Sequence, residues 1–501
     1  MKQGHFWKNL WGRAHASARF GRWLTAILIA AVVVFNLVFF GLANKLSLYF
    51  SDSQVYAHTL SGNTDAYLGE VADRGDVEII FCNHEENITG EPAYNLVYQT
   101  ALQMAERYGF VKTRIVNIFT DPEQVEPYKY ATDPDTGERE KINDINRNSV
   151  IVAAEGDFVV LSMQHFFVLD SDHVITAYSG EEIMAAMIHR VQTEVRPTAY
   201  FTTQHGETYS SSFYNRLLCA GYDIATVDLV TEELDAGAGD LLVISNPRYD
   251  FSVGAADKGI TGELDKIDAF LARGGSLFAM LDPLVTNTVF LERMLAEWGI
   301  ELWREETDGM RESVMIRDNT NSITTDGYAL ICDVAGSALA ETLAAELSEV
   351  EAGRVIVRQA SPMLLEGKEG KTVSAILTTS SSSHAYAGGK EVSGDGQFAV
   401  AAASRDGASG GSVFAVASVY MTAQDAITTN EYGNRDLILS LVGNLTGASV
   451  PTGCSYFILE PTVLEDLTMR EARLWTVLVA VAVPCALLVA GACVMPKRRY
   501  R

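Results

Sequence analysis

Residues 198–207, TAYFTTQHGE, set an imidazole and a carboxylate on either side of a glycine at a point where the chain must turn. Residues 198–203 mix β-branched, small and aromatic side chains as a buried strand does. His205 and Glu207 are residue types suited to acid–base work or metal ligation, and Gly206 is free to take a positive φ that aims its neighbours into one crevice. The plainer alternative is that both side chains tie down backbone groups or cap a helix starting near Thr208.

Spacing removes several chemistries. Neither His84-Glu85-Glu86 nor His205-Gly206-Glu207 has the HExxH interval that puts two imidazoles on one helical face, and the nine histidines form no cluster, so no metal is expected. No G-x-S-x-G or G-x-C-x-G sits between a strand and a helix as a nucleophile elbow must, so no catalytic residue is assigned. Cys219 falls late in a helix on its apolar side and reads as core. In GKEGKT (367–372) Leu365 stands where a phosphate loop needs its first glycine, so no nucleotide or other cofactor is expected.

The elements that must position these residues read as two α/β halves. In the first, strand 76–83, helix 91–109 and strand 113–120 precede a polar loop at 121–148. Strands 149–154 and 157–163 and a helix at 180–194 follow. The order β-α-β then β-β-α is that of a thioredoxin-like domain, although Cys82-Asn83-His84-Glu85 carries no redox dithiol. In the second, strands 198–203, 223–230, 240–247 and 276–283 alternate with helices 210–220, 262–273 and 287–298, which predicts a doubly wound, mostly parallel sheet. Ligands gather at the carboxyl edge of such sheets, where His205, Gly206, Glu207, Asn246 and Asp282 all fall as candidate ligand or partner contacts. From 310 to 410 the pattern weakens and residues 378–397 read as a flexible Ser/Gly-rich loop, after which apolar strands resume with QFAVAAAS (397–404) and SVFAVASVY (412–420) and a helix is expected at 432–446.

Two runs free of charge, 23–44 and 474–496, have the length of a membrane-crossing helix. A cleaved signal peptide with Gly41-Leu42-Ala43 at its cleavage site is the alternative for the first, against which the length of its apolar run argues. Basic tails at 1–22 and 497–501 place both termini in the cytoplasm of a plasma-membrane protein. The expected organisation is then an extracytoplasmic thioredoxin-like domain at 45–195, an α/β domain at 196–460 and a linker at 461–473. Five cationic residues precede the first run and four follow the second, so a chain at −26 overall carries −35 between its tails, which excludes nucleic acid as a partner. Cys82, Cys219, Cys332 and Cys454 lack zinc or CxxC spacing, and their disulfide state is left open.

The order of these pieces resembles the GldG-like auxiliary components of gliding-motility-type ABC transport systems along nearly the whole chain. The segments that carry the resemblance are GEEIMAAMIHRVQTEVRPTAYFTTQHGE (180–207), DLLVISNPRYDFS (240–252), FLARGGSLFAMLDP (270–283), YGNRDLILSLVGNLTG (432–447) and VMPKRRYR (494–501). Gln204 departs from the first glycine of the family's GHGE, and Asn444-Leu445 from its Trp-Leu. The resemblance implies a non-catalytic, membrane-anchored auxiliary subunit beside a polytopic ABC permease and a cytoplasmic ABC ATPase, in contact with membrane lipid. The competing class is a membrane-anchored, hydrolase-like enzyme using the crevice around His205, Glu207 and Asp282.

Overall fold

Period-two alternation in the strands and 3.6-residue stripes in the helices dictate layers with an apolar face turned inward. The computed structural model describes residues 60–132, 139–169, 174–337, 339–341, 343–344, 354–427, 432–454 and 457–459. These all lie in one compact unit, 60–501, of the two into which the chain divides. A short helix α1 (Asn63–Gly69) leads to strands β1 (Val77–Phe81) and β2 (Val111–Ile115), joined by helix α2 (Pro92–Arg107). β1 and β2 pair in parallel, β3 (Ser149–Ala153) pairs antiparallel with β1, and β4 (Phe158–Ser162) extends β3 as a hairpin. The resulting order is β2-β1-β3-β4. α2 buries Leu96, Val97, Ala101 and Met104, and residues 121–148, expected as an open loop, contain a 3-10 turn and a short hairpin.

Helix α3 (Gly180–Val191) links this sheet to the larger one and is buried on almost every side. Glu181 accepts hydrogen bonds from the Ser61 amide and the Thr64 hydroxyl, and Glu182 is paired with Arg216 and Arg435 from two other helices. Buried carboxylates of this kind are tolerated because each faces a cation or donors.

The larger sheet follows the expected alternation. Its elements are β5 (Thr198–Thr202), α4 (Ser211–Cys219), β6 (Asp223–Val227), β7 (Leu241–Ser245), α5 (Glu263–Ala272), β8 (Ser276–Met280) and α6 (Val289–Glu297). β9 (Ala329–Val334), β10 (Val355–Arg358), β11 (Lys371–Thr378), β12 (Ala399–Asp406), β13 (Ser412–Val416) and α7 (Asn434–Thr446) continue it, and the strands Ile300–Leu302 and Met363–Leu365 pair with each other beside β12. The order is β6-β5-β7-β8-β13-β12-β11-β9-β10, with the first five strands parallel and the last four antiparallel. Neighbouring residues serve opposite faces. Leu242, Ile244, Leu277 and Ala279 pack on α5 and α6, whereas Phe278 meets Phe213 of α4 and Phe414 of β13. Each buried aromatic of this kind contributes about 2–3 kcal/mol.

Two expectations are corrected. Most of residues 378–397, expected as a flexible loop, is strand: Ser383–Ala387 and Lys390–Gly396 pair in series with Met310–Arg317 in a four-stranded sheet. The architecture of a body between two membrane helices is also overturned, because no helix among the described residues is long and apolar enough to cross a membrane. The longest of them, α2, has 16 residues. At ~1.5 Å per residue it reaches about 24 Å, short of a ~30 Å hydrocarbon core. The runs 23–44 and 474–496 lie outside the described residues. What stands is a mixed α/β body, and the plasma-membrane localisation expected with the spans does not.

Candidate functional site

β5, the first strand of the parallel set, lies between β6 and β7, so the direction of strand addition reverses there and a crevice opens beyond the carboxyl ends. The chain turns sharply at that point. Gln204 has φ 77° and Gly206 φ 74°, and Asn246, after β7, has φ 54°. A Cβ on Gly206 would stand 3.0 Å from the Cβ of Arg248, so close approach of the two turns adds to the conformational need for glycine.

His205 fills the crevice and does not line it. Its ring is buried and stacks on Phe251 at a centroid distance of 3.9 Å. Nδ1 lies 3.2 Å from the Thr203 carbonyl and 3.5 Å from Glu207 Oε1, and Nε2 lies 3.1 Å from Glu263 Oε1. Both carboxylates stand within ion-pair distance of the ring, which is charged when both of its nitrogens are protonated. Burial opposes charge on the imidazole, but Glu207 and Glu263 outweigh it and hold the His205 pKa above its ordinary value. Burial likewise opposes charge on Glu207, and His205 with nearby amides holds that carboxyl below its ordinary range.

The remaining candidates fasten neighbouring loops. The Asn246 amide nitrogen of the side chain donates to Thr208 Oγ1 (2.8 Å), and its backbone N–H donates to the Met280 carbonyl (2.8 Å). Asp282 accepts from the Leu284 N–H (2.9 Å) and pairs with Arg248 Nη1 (3.1 Å). The structure therefore brings His205, Gly206, Glu207, Asn246 and Asp282 to one edge, although Asn246 and Asp282 reach the histidine turn only through Thr208 and Arg248. Glu207 does not cap α4, which starts at Ser211, but accepts from the His205 N–H (2.8 Å).

Sequence reasoning missed Glu263, Phe251 and Arg304. Glu263 opens α5 far along the chain from His205, and no local motif marks the pairing. Arg304 is buried against Glu292 (2.9 Å) and donates to the carbonyls of Pro283 and Val285 (2.8 Å for the latter), with Arg311 joining the cluster. It braces the loop that carries Asp282. The local signal was only an arginine in an acidic stretch.

Among the described residues no group of three His, Cys, Asp or Glu side chains is placed to hold a metal. Two cavities lie away from this edge. One of about 310 Å³ is bordered by Ile183, Arg216 and Arg435, and one of about 560 Å³ by Arg190, Arg196 and Thr446. Their cations are engaged, Arg216 with Glu182, Arg190 with Asp223 and Arg196 with Asp157. Cys82, Cys219, Cys332 and Cys454 are buried free thiols, and burial pushes the first two up to about 12.

No protein-family model matches this sequence, and no curated protein matches it. Among solved structures, the mmIFT52 N-terminal domain is 16% identical over 50% of this chain and 99% of its own, with a TM-score of 0.37. PurLQS from Thermotoga maritima is 12% identical over 50% of this chain and 100% of its own, with a TM-score of 0.27. The exo-beta-1,4-mannosidase Op5Man5 from Opitutaceae bacterium strain TAV5 is 11% identical over 56% and 40%, with a TM-score of 0.26. Likenesses this distant assign nothing to this chain. No family model or curated protein supports the ABC-transport and gliding-motility character expected from the resemblance, and that expectation is withdrawn with the membrane spans.

Proposed function

We propose that this chain is a non-catalytic accessory subunit whose α/β body docks a partner protein at the carboxyl edge of its parallel sheet. One observation carries the reading: the edge that holds catalytic groups in many such sheets spends its titratable groups on itself and presents apolar side chains outward. Tyr249, Val253, Ile260 and Leu284 are exposed on the loops after β7 and β8, and Val289 and Phe290 at the start of α6. Exposed apolar residues gathered on neighbouring loops mark interaction surfaces. Both loops are braced from beneath, one by His205 and Glu263 and the other by Arg304 and Glu292, so the face is preorganised for docking.

A general base needs an accessible lone pair and a nucleophile or substrate within reach. His205 faces a carbonyl, two carboxylates and an aromatic ring, and this argues against the hydrolase reading. The test is affinity purification of the full chain from its native source, beside a Leu284→Asp/Phe290→Asp variant. Recovery of a stoichiometric partner with the native chain and its loss from the folded variant support docking at this face. Equal recovery with both chains, or with neither, overturns the proposal.

A further inference from the structure

The loop from Asn246 to Gly262 carries half of the exposed apolar face, and it is held to the sheet through His205 and Glu263. The His205 carbonyl accepts from the N–H groups of Arg248 (2.6 Å) and Tyr249 (3.0 Å). The imidazole covers Phe251 face to face. Glu263 Oε2 accepts from the Ser252 N–H (2.8 Å), and the Ser252 hydroxyl accepts from the Glu263 N–H (3.2 Å). The other oxygen of Glu263 faces His205 Nε2. One imidazole thus joins the turn after β5, the middle of the loop and the first residue of α5.

We infer that His205 is a proton-operated latch: with both ring nitrogens protonated it holds loop 246–262 against the sheet edge, and loss of one proton releases the loop. This rests on the reading of that edge as a docking face. Charge explains why the proton matters. Glu207 faces the ring from its own turn and Glu263 from α5, both with side chains almost wholly removed from solvent. The nearby cation, Arg248, is drawn to Asp282. Of the other carboxylates on the packed elements, Asp250 accepts from the N–H groups of Phe290 and Leu291, and Asp265 from that of Gly262. Deprotonation therefore leaves two buried carboxylates facing a neutral ring, and burying an uncompensated charge is strongly unfavourable.

The sign follows from the raised pKa of His205. The latch is complete below the ordinary imidazole value of ~6.5 and is lost as pH climbs through the higher value of the closed state. The experiment is hydrogen–deuterium exchange on the full chain without partner from pH 6 to 9, corrected for intrinsic exchange, with peptides of β7 and β8 as internal reference. Protection of 246–262 is expected to step down with rising pH, by about tenfold for each pKa unit separating closed and open loop. In Glu263→Gln the step is expected to shrink and move to lower pH, which loss of packing alone would not do. In His205→Gln it is expected to vanish, and should that variant not fold, the Glu263→Gln shift decides. Flat protection of the native loop across this range, or an unmoved step in Glu263→Gln, overturns the latch. Partner recovery measured at pH 6, with the latch closed, reports on docking alone.

Discussion

Nε2 of His205 stands 3.1 Å from Oε1 of Glu263, and this contact fastens the turn after β5 to the first residue of α5. Together with Glu207 on the opposite side of the ring, it makes the histidine a fixed part of the crevice. A residue type that suggests acid–base chemistry is used here to hold two loops in place.

Removing one partner of a buried charge pair costs more than the pair contributes, because the other charge is left stranded. Glu263→Ala is expected to lower unfolding stability by about 3 kcal/mol near pH 6. Urea denaturation of the full chain measures this, and a loss no larger than that of an exposed Glu→Ala substitution would refute the clasp.

Gly206→Ala meets two penalties, a left-handed backbone at φ +74° and the Arg248 side chain at 3.0 Å. A residue with a Cβ in that conformation costs roughly 1–2 kcal/mol before any clash. Gly221 has φ +85° but no atom within 4 Å of an added Cβ. Thermal unfolding is expected to show a larger loss for Gly206→Ala than for Gly221→Ala, and equal losses would show that the turns do not press on each other.

Asp318 is buried and accepts hydrogen bonds from the hydroxyls of Ser380, Ser382 and Ser383 and the N–H groups of Thr320 and Asn321. Burial opposes its charge, but these donors pull its pKa down to about 2. A depressed carboxylate contributes stability in full above its unfolded value of ~3.9 and loses it as pH falls toward the folded value. Stability of the native chain is therefore expected to fall between pH ~4 and 2. Asp318→Asn should flatten that limb, and an identical acid limb in both proteins would contradict the assignment.

Buried thiols with raised pKa values carry little thiolate at neutral pH. Cys82, Cys219, Cys332 and Cys454 are expected to resist maleimide in the native chain and to label fully in urea, read by peptide mass spectrometry. Rapid native labelling of Cys219 would show that the interface of α3, α4 and α7 is open.

The alternation of apolar strands and striped helices made the parallel half legible, and the edge holding His205, Asn246 and Asp282 followed from strand ends alone. In the antiparallel half β12 was legible as an apolar run, but β11 was not, because its small and hydroxyl-bearing residues alternate only weakly. Ser380–Ser383 read as a mobile serine run, yet those hydroxyls converge on Asp318, a partner that only folding brings near. At the site, the turn was visible but its purpose was not. Glu263 and Phe251 decide what His205 does, and neither shares a local motif with it.

His205 is read here as a charged clasp with no lone pair to offer a substrate. The most direct measurement is a pH titration of ¹⁵N-histidine-labelled full chain by NMR, with His205→Gln assigning the resonance. His205 is expected to show two protonated ring nitrogens at pH 6 and to keep them to higher pH than an exposed histidine. A His205 that is neutral at pH 6, with one unprotonated nitrogen, would contradict it and reopen the crevice as a site of general-base chemistry.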